Sequence, residues 1–190
     1  MLFRSEKAFR DAIFQVVSVI TTTGFVSADY TQWTPFVTIL FLIMMFLGGS
    51  AGSTSGGVKI VRHLTMAKNC FVELRRLLHP RAIIPVKLNG KIVSPNIISH
   101  VLVFILIYLI VFVGSSCVMA AIGLDFETAI SSVATCLGNV GPGIGSVGPT
   151  DNFSQIPFSG KWFLSFLMII GRLELFTVLI IFTPYFWKTN

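Results

Sequence analysis

The apolar residues of this chain fall into runs of unequal length, and the lengths separate their roles. Ile97 to Ile122 is apolar throughout, apart from small polar residues and His100. At about 1.5 Å per residue, this run predicts one helix that crosses a bilayer with room to tilt. Trp162 to Phe182 predicts a final span, with Tyr185, Phe186, Trp187 and Lys188 as an interfacial anchor. Two further runs, Ala8 to Ile20 and Asp125 to Cys136, are helical in pattern but too short to cross. Asp11 near the start of the first, and Asp125 and Glu127 at the start of the second, suit the positive end of a helix dipole. Residues 1–7 predict a ragged polar end.

Each short helix runs into a glycine-bearing loop: Thr21-Thr22-Thr23-Gly24-Phe25 after the first, Gly138-Asn139-Val140-Gly141-Pro142 after the second. The two units are related by an offset of 117 positions. Phe9 then falls on Phe126, Ala12 on Ala129, Ile13 on Ile130, Val16 on Val133 and Gly24 on Gly141, without a gap. Past the loops the match resumes at an offset of 123, with Met45 on Met168 and Gly48 on Gly171. Alone, Gly24 reads as a simple helix C-cap. Its repetition turns the reading toward a re-entrant loop, where the negative helix end and successive carbonyls take the place of water around a cation.

The helix that follows the first loop is broken. Pro35 to Leu47 is apolar but too short to span, and it enters Gly48-Gly49-Ser50-Ala51-Gly52-Ser53-Thr54-Ser55-Gly56-Gly57. Five of these ten residues are glycine, which stops a helix. Irregular backbone at membrane depth is tolerated only against protein or a water-filled cavity, so the run predicts a mobile loop lining a pore. A plain linker is the simpler alternative. A phosphate loop does not fit, because Lys59 lacks the required glycine spacing and no Ser or Thr follows it. Val58 to Leu78 predicts a basic helix leaving the membrane. Pro80, Pro85 and the turn signal Asn89-Gly90 make 79–94 a connection.

Composition sharpens the class. Mean hydropathy is +0.83, and 12% of residues are charged, about half the share of a soluble domain. The runs are too long for barrel strands, so the expected fold is an all-α integral membrane protein. Net charge is +6, and eight of the 14 Lys and Arg lie between Lys59 and Lys91, with Glu73 as the one acid among them. The positive-inside rule makes that segment and the C-terminus cytoplasmic and explains its basicity without nucleic acid. Cys70, Cys117 and Cys136 are scattered, as are His63, His79 and His100, and no zinc or disulfide pattern forms. No acid–base pair or nucleophile set suggests an enzyme.

Arg172 and Glu174 lie within the final run, where charges are costly and mark functional sites. Two positions apart, they do not share a helix face, so each needs its own partner. Arg172 is expected to reach into a pore below the loops, raising the barrier to cations, with its guanidinium bonded to carbonyls of the Gly48–Gly57 loop.

These motifs together resemble the C-terminal part of the TrkH/TrkG/KtrB superfamily of potassium transporters, over nearly the whole chain. Thr21–Phe25 is similar to the third-repeat filter and Gly48–Lys59 to that repeat's intramembrane gating loop. Asn139–Pro142 is similar to the fourth filter, and Gly171-Arg172-Leu173-Glu174 to the fourth repeat's last helix. The resemblance implies helix–pore-loop–helix repeats around a pseudo-fourfold, potassium-channel-like pore, here about one and a half repeats. Residues 1–78 would supply the pore helix, filter and broken second helix of the third repeat, 79–94 a cytoplasmic connection, and 95–190 a complete fourth repeat. It implies K+ at Thr22, Thr23, Gly24, Phe25, Asn139, Val140 and Gly141. The gate would comprise Gly48, Gly49, Ser50, Gly52, Ser53, Gly56 and Gly57, with Arg172 as its charge.

Potassium is then substrate, with no cofactor bound by this chain. The implied setting is the cytoplasmic (inner) membrane. The implied partners are the lipid bilayer, the missing repeats from a second half or copy, a homodimer mate when complete, and a TrkA- or KtrA-like nucleotide-binding ring facing Lys59–Lys91. A sodium-permeable relative and a truncated, non-conducting fragment are the alternatives. Glycine at both Gly24 and Gly141 suits potassium.

Overall fold

The structure, a computed structural model, describes residues 2–82, 84–173, 175–181 and 187. Helix α1 (Leu2–Ile20) leads through a short 3-10 turn (Tyr30–Gln32) to α2 (Pro35–Met44). α2 starts where its local chemistry dictates: the Thr34 hydroxyl accepts from the Val37 amide, and Pro35 occupies the first turn. Two-residue strands β1 (Leu47–Gly48) and β2 (Val58–Lys59) pair in parallel, Leu47 with Val58 and Gly48 with Lys59, and close the glycine-rich segment into a loop. Next come α3 (Ile60–Leu78) and the hairpin β3 (Lys87–Leu88) and β4 (Lys91–Ile92). Asn89 and Gly90 form its turn, at φ 49° and 79°, the pair of positive φ values this hairpin type needs. The remaining helices are α4 (Pro95–Ala121), α5 (Phe126–Gly138), α6 (Phe158–Arg172) and α7 (Leu175–Ile181).

α5 is the centre of the fold, packed between α4 and α6. From Thr128 to Gly138 it is buried on nearly every side. A helix buried all round must satisfy its polar side chains internally. Ser131 donates to the Ile144 carbonyl at 2.6 Å, Ser132 to the Ala129 carbonyl at 3.1 Å and Thr135 to the Ser132 carbonyl at 3.2 Å. α1 is less enclosed: Phe9, Ile13, Phe14 and Val17 are exposed on it, as are Phe36, Ile39 and Ile43 on α2. Among the described residues, α4 is the one helix long and apolar enough to cross a membrane.

Three expectations need correction. The first helix begins at Leu2, so Asp11 lies mid-helix, where it accepts from the Ser27 hydroxyl at 3.2 Å. Within the charged start, Glu6 and Arg10 pair one turn apart at 2.6 Å, a small contribution to the helix. The final run is not one continuous helix: α6 ends at Arg172 and α7 starts at Leu175. Near the end of α6, Asn139 Nδ2 donates to the Met168 carbonyl at 3.1 Å, and Gly171 is pressed against the Leu137 carbonyl. The all-helical expectation also omits the two short strand pairs. Glu174 and the anchor residues Tyr185, Phe186 and Lys188 lie outside the described residues; Trp187 is exposed.

The start of α5 makes a testable cap. The Thr128 hydroxyl and amide hydrogen-bond Asp125 and hold its carboxyl below the usual aspartate range, with the amide at 3.1 Å. A lowered folded-state pKa means the cap's contribution is present above the unfolded-state pKa and lost as pH falls through the folded one. Asp125→Ala is expected to cost about 1 kcal/mol at neutral pH, with the difference from wild type shrinking at acid pH. Denaturation of the purified chain in detergent at both pH values checks it.

Candidate functional site: two glycine loops against a glycine–serine loop

The two short helices end in the same way. Thr22 and Asn139, related by the 117 offset, are both left-handed at φ 54°. Thr22 donates to the Val19 carbonyl at 3.1 Å, and Asn139 to that of Cys136 at 3.2 Å. Thr23 donates to the Ser18 carbonyl and Val140 to that of Thr135, both at 2.9 Å. Each donor and each acceptor is again related by the same offset. Gly24 and Gly141 then both turn to positive φ, 80° and 117°, which glycine tolerates and other residues resist.

The loops touch at these glycines. A β-carbon on Gly24 would overlap the Val140 carbonyl oxygen, and one on Gly141 would lie 3.5 Å from Gly24 Cα. The C-terminal ends of α1 and α5, each the negative end of a helix, thus deliver two adjacent stretches of irregular backbone to one place. Phe25 contributes only backbone there: its ring is exposed, while its carbonyl accepts from Ser18 Oγ at 2.7 Å.

The Gly48–Gly57 segment packs against both loops. The Gly56 amide donates to Thr22 Oγ1 at 3.1 Å, and a side chain at Gly56 would strike the Gly138 carbonyl. Within the segment, Gly49 donates to Ser55 Oγ at 2.8 Å, which is itself 2.8 Å from Ser53 Oγ. Ser50 and Gly52 sit at its exposed edge. Three successive carbonyls face cations. Lys59 Nζ donates to the Ser53 carbonyl and, at 3.2 Å, to that of Ser55, while Arg172 Nη1 donates to that of Thr54. Lys59, Arg62 and Arg172 line a cavity of about 250 Å³ beside this segment, and Arg62 also lies 3.9 Å above the centre of the Phe104 ring.

All the candidate residues therefore meet in one region, with the two glycine loops on one side of the Gly48–Gly57 segment and three basic side chains lining the cavity beside it. Sequence reasoning put Lys59 at the end of the gating loop without giving its side chain a role, and it missed Tyr30. Lys59 carried one signal, as the first charge after a ten-residue glycine–serine run. Tyr30, one of two aromatics in a short polar connection, carried none.

Comparison with known proteins gives this arrangement its relatives. The family model for TrkH, described as a cation transport protein, matches residues 3–188. The chain belongs to the TrkH family. The Trk system potassium uptake protein TrkH of Vibrio parahaemolyticus is 41% identical over 182 residues, which are 96% of this chain and 37% of that protein. The Trk system potassium uptake protein TrkG of Escherichia coli is 34% identical over 96% of this chain and 37% of its own length. The crystal structure of the potassium transporter TrkH from Vibrio parahaemolyticus superposes with a TM-score of 0.89 at 40% identity, covering 96% of this chain and 39% of that one. The chain thus spans less than two-fifths of the TrkH-family proteins it matches here.

Proposed function

We propose that this chain forms part of the ion path of a potassium uptake pore in the cytoplasmic membrane. It supplies two of four backbone filters, Thr22–Phe25 and Asn139–Gly141, and the gate, Gly48–Gly57 with Arg172. The observation that carries this reading is the shared backbone of the two loops, positive φ and hydrogen bonds alike, at the ends of two short helices that meet at Gly24 and Gly141. Carbonyls held in this way take the place of a potassium ion's hydration shell. The potassium uptake names of the relatives support the choice of ion.

The chain spans just over a third of those relatives. The rest of the pore comes from further repeats, on the same polypeptide or on a second one, and the complete pore forms a dimer. The basic stretch from Lys59 to Lys91 is on the cytoplasmic side, where it meets a TrkA- or KtrA-like nucleotide-binding regulatory ring. Arg172 and Lys59 hold the gate's carbonyls turned away from the ion and place positive charge in its way.

The deciding experiment is potassium-limited growth of an uptake-deficient bacterium that produces this chain with the whole remaining N-terminal part of a relative. Rescue by the pair, and its loss with Gly141→Ser, is the expected result. Confirmed membrane insertion of both parts without rescue would refute the reading.

A further inference from the structure

We propose that Tyr30 is a positioning residue that sets the ion selectivity of the second glycine loop from across the boundary between the two repeats. This rests on the potassium-pore reading above. Tyr30 is fully buried, and its ring stacks on Phe41 with centroids 4.4 Å apart and planes 15° apart. The surrounding cluster contains Val19, Met45, Ala134, Ile144 and Val140, the last a residue of the second loop itself. The phenol donates to the Gly143 carbonyl at 2.7 Å, across 113 residues, and the Gly143 amide donates to the Val147 carbonyl, also at 2.7 Å. Gly143 is thus held through both of its peptide groups, two residues past Gly141.

The two loops are braced differently, and this gives Tyr30 its role. In the first, Ser18 on the loop's own helix donates to the carbonyl just after Gly24. The residue in the place of Ser18 in the second repeat is Thr135, whose hydroxyl turns back to the Ser132 carbonyl instead. In the second loop Ser131 of α5 holds the Ile144 carbonyl, two residues beyond the place of Phe25, and Tyr30 holds the Gly143 carbonyl between them from the first repeat. The donor is dependable: burial, and then the charge of Asp29, push its pKa well above the usual tyrosine value, so it keeps its proton at physiological pH. Asp29 also caps the turn that carries Tyr30, accepting from the Thr31 amide at 3.0 Å. Selectivity depends on where carbonyls stand and how many face the ion, so a bond that fixes the loop's exit acts on ion choice before it acts on rate.

Tyr30→Phe removes one oxygen and keeps the stacking ring. In cells with the completed pore, rubidium and sodium tracer uptake is measured at equal membrane levels of wild type and variant. The expected result is a fall of about fivefold in the rubidium-to-sodium ratio, with the maximal rubidium rate within about twofold of wild type, as one buried hydrogen bond is removed. An unchanged ratio, or equal losses for both ions, overturns the proposal and leaves Tyr30 a packing residue. A second arm needs no transport: hydrogen exchange of the purified whole chain in lipid nanodiscs. Amides of 139–148 are expected to exchange about tenfold faster in Tyr30→Phe while α5 stays protected, and unchanged exchange also overturns the proposal. A wild-type pair that carries neither ion refutes the potassium-pore reading, whereas the exchange arm still decides whether Tyr30 braces the loop.

Discussion

Arg172→Ala is expected to raise potassium flux through the completed pore by about tenfold. Two effects add. The guanidinium is a fixed positive charge beside the proposed ion path; at roughly 6 Å and an effective dielectric of about 20, it opposes a potassium ion by about 2–3 kcal/mol. Arg172 is exposed to the cavity, where water and salt screen that interaction, so about tenfold rather than about a hundredfold is the realistic size. The second effect is mechanical. Arg172 and Lys59 hold consecutive carbonyls of the loop, and without Arg172 the Thr54 carbonyl is free and the loop loses a tie to α6. Arg172→Lys separates the two, keeping the charge but losing the planar fork of donors, and is expected to raise flux less than alanine does. Rubidium uptake at matched expression measures both variants. Unchanged flux in Arg172→Ala would remove Arg172 from the gate.

Gly24→Ala is expected to abolish uptake, by more than about a hundredfold, while the protein still inserts. At φ 80° an alanine is strained by about 1–2 kcal/mol. Its β-carbon also overlaps the Val140 carbonyl oxygen, so the substitution pushes on both loops at once. Neither loop can yield freely: Ser18 holds the carbonyl of Phe25, and Val140 is buried in the cluster with Tyr30. The matched control is Gly114→Ala in the middle of α4, where an added β-carbon meets nothing within 4 Å. There, alanine is the better helix former by about 1 kcal/mol, and uptake should remain at the wild-type level. Growth on limiting potassium, with membrane levels checked by immunoblot, compares the two. Uptake retained in Gly24→Ala would mean that the glycine loops do not line the ion path.

The polar network explains why the proposed gate, Gly48–Gly57, is rich in glycine and serine. A loop pressed against two others has little room for side chains: Gly56 approaches the Gly138 carbonyl and Gly48 the carbonyls of Gly56 and Val58. Its backbone polar groups still need partners away from bulk water. The small hydroxyls of Ser53 and Ser55, the Thr22 hydroxyl, and the two cations supply several of them from the sides. The short β1–β2 ladder keeps both ends of the loop together, between α2 and α3.

Much was legible in the sequence because it is set by short-range physics. A 26-residue apolar run forms a helix that buries its own backbone groups, and α4 follows from that alone. Asp125 three residues before Thr128 starts α5, Asn89-Gly90 turns the hairpin, and glycine density ends the apolar helix before Gly48. The offset of 117 could be counted residue by residue, and the backbone of the two loops follows the same offset. The tertiary structure alone decided what meets what. It set Gly24 against Val140, Tyr30 under Gly143, Arg172 on Thr54 and Asn139 on Met168. Three of these four pairings join residues more than 100 positions apart, and all involve a backbone carbonyl. Every residue has such a carbonyl, so no pattern of side chains along the chain distinguishes the one that will be chosen. That choice is made by packing, which decides which carbonyls lie within reach of a given side chain or glycine.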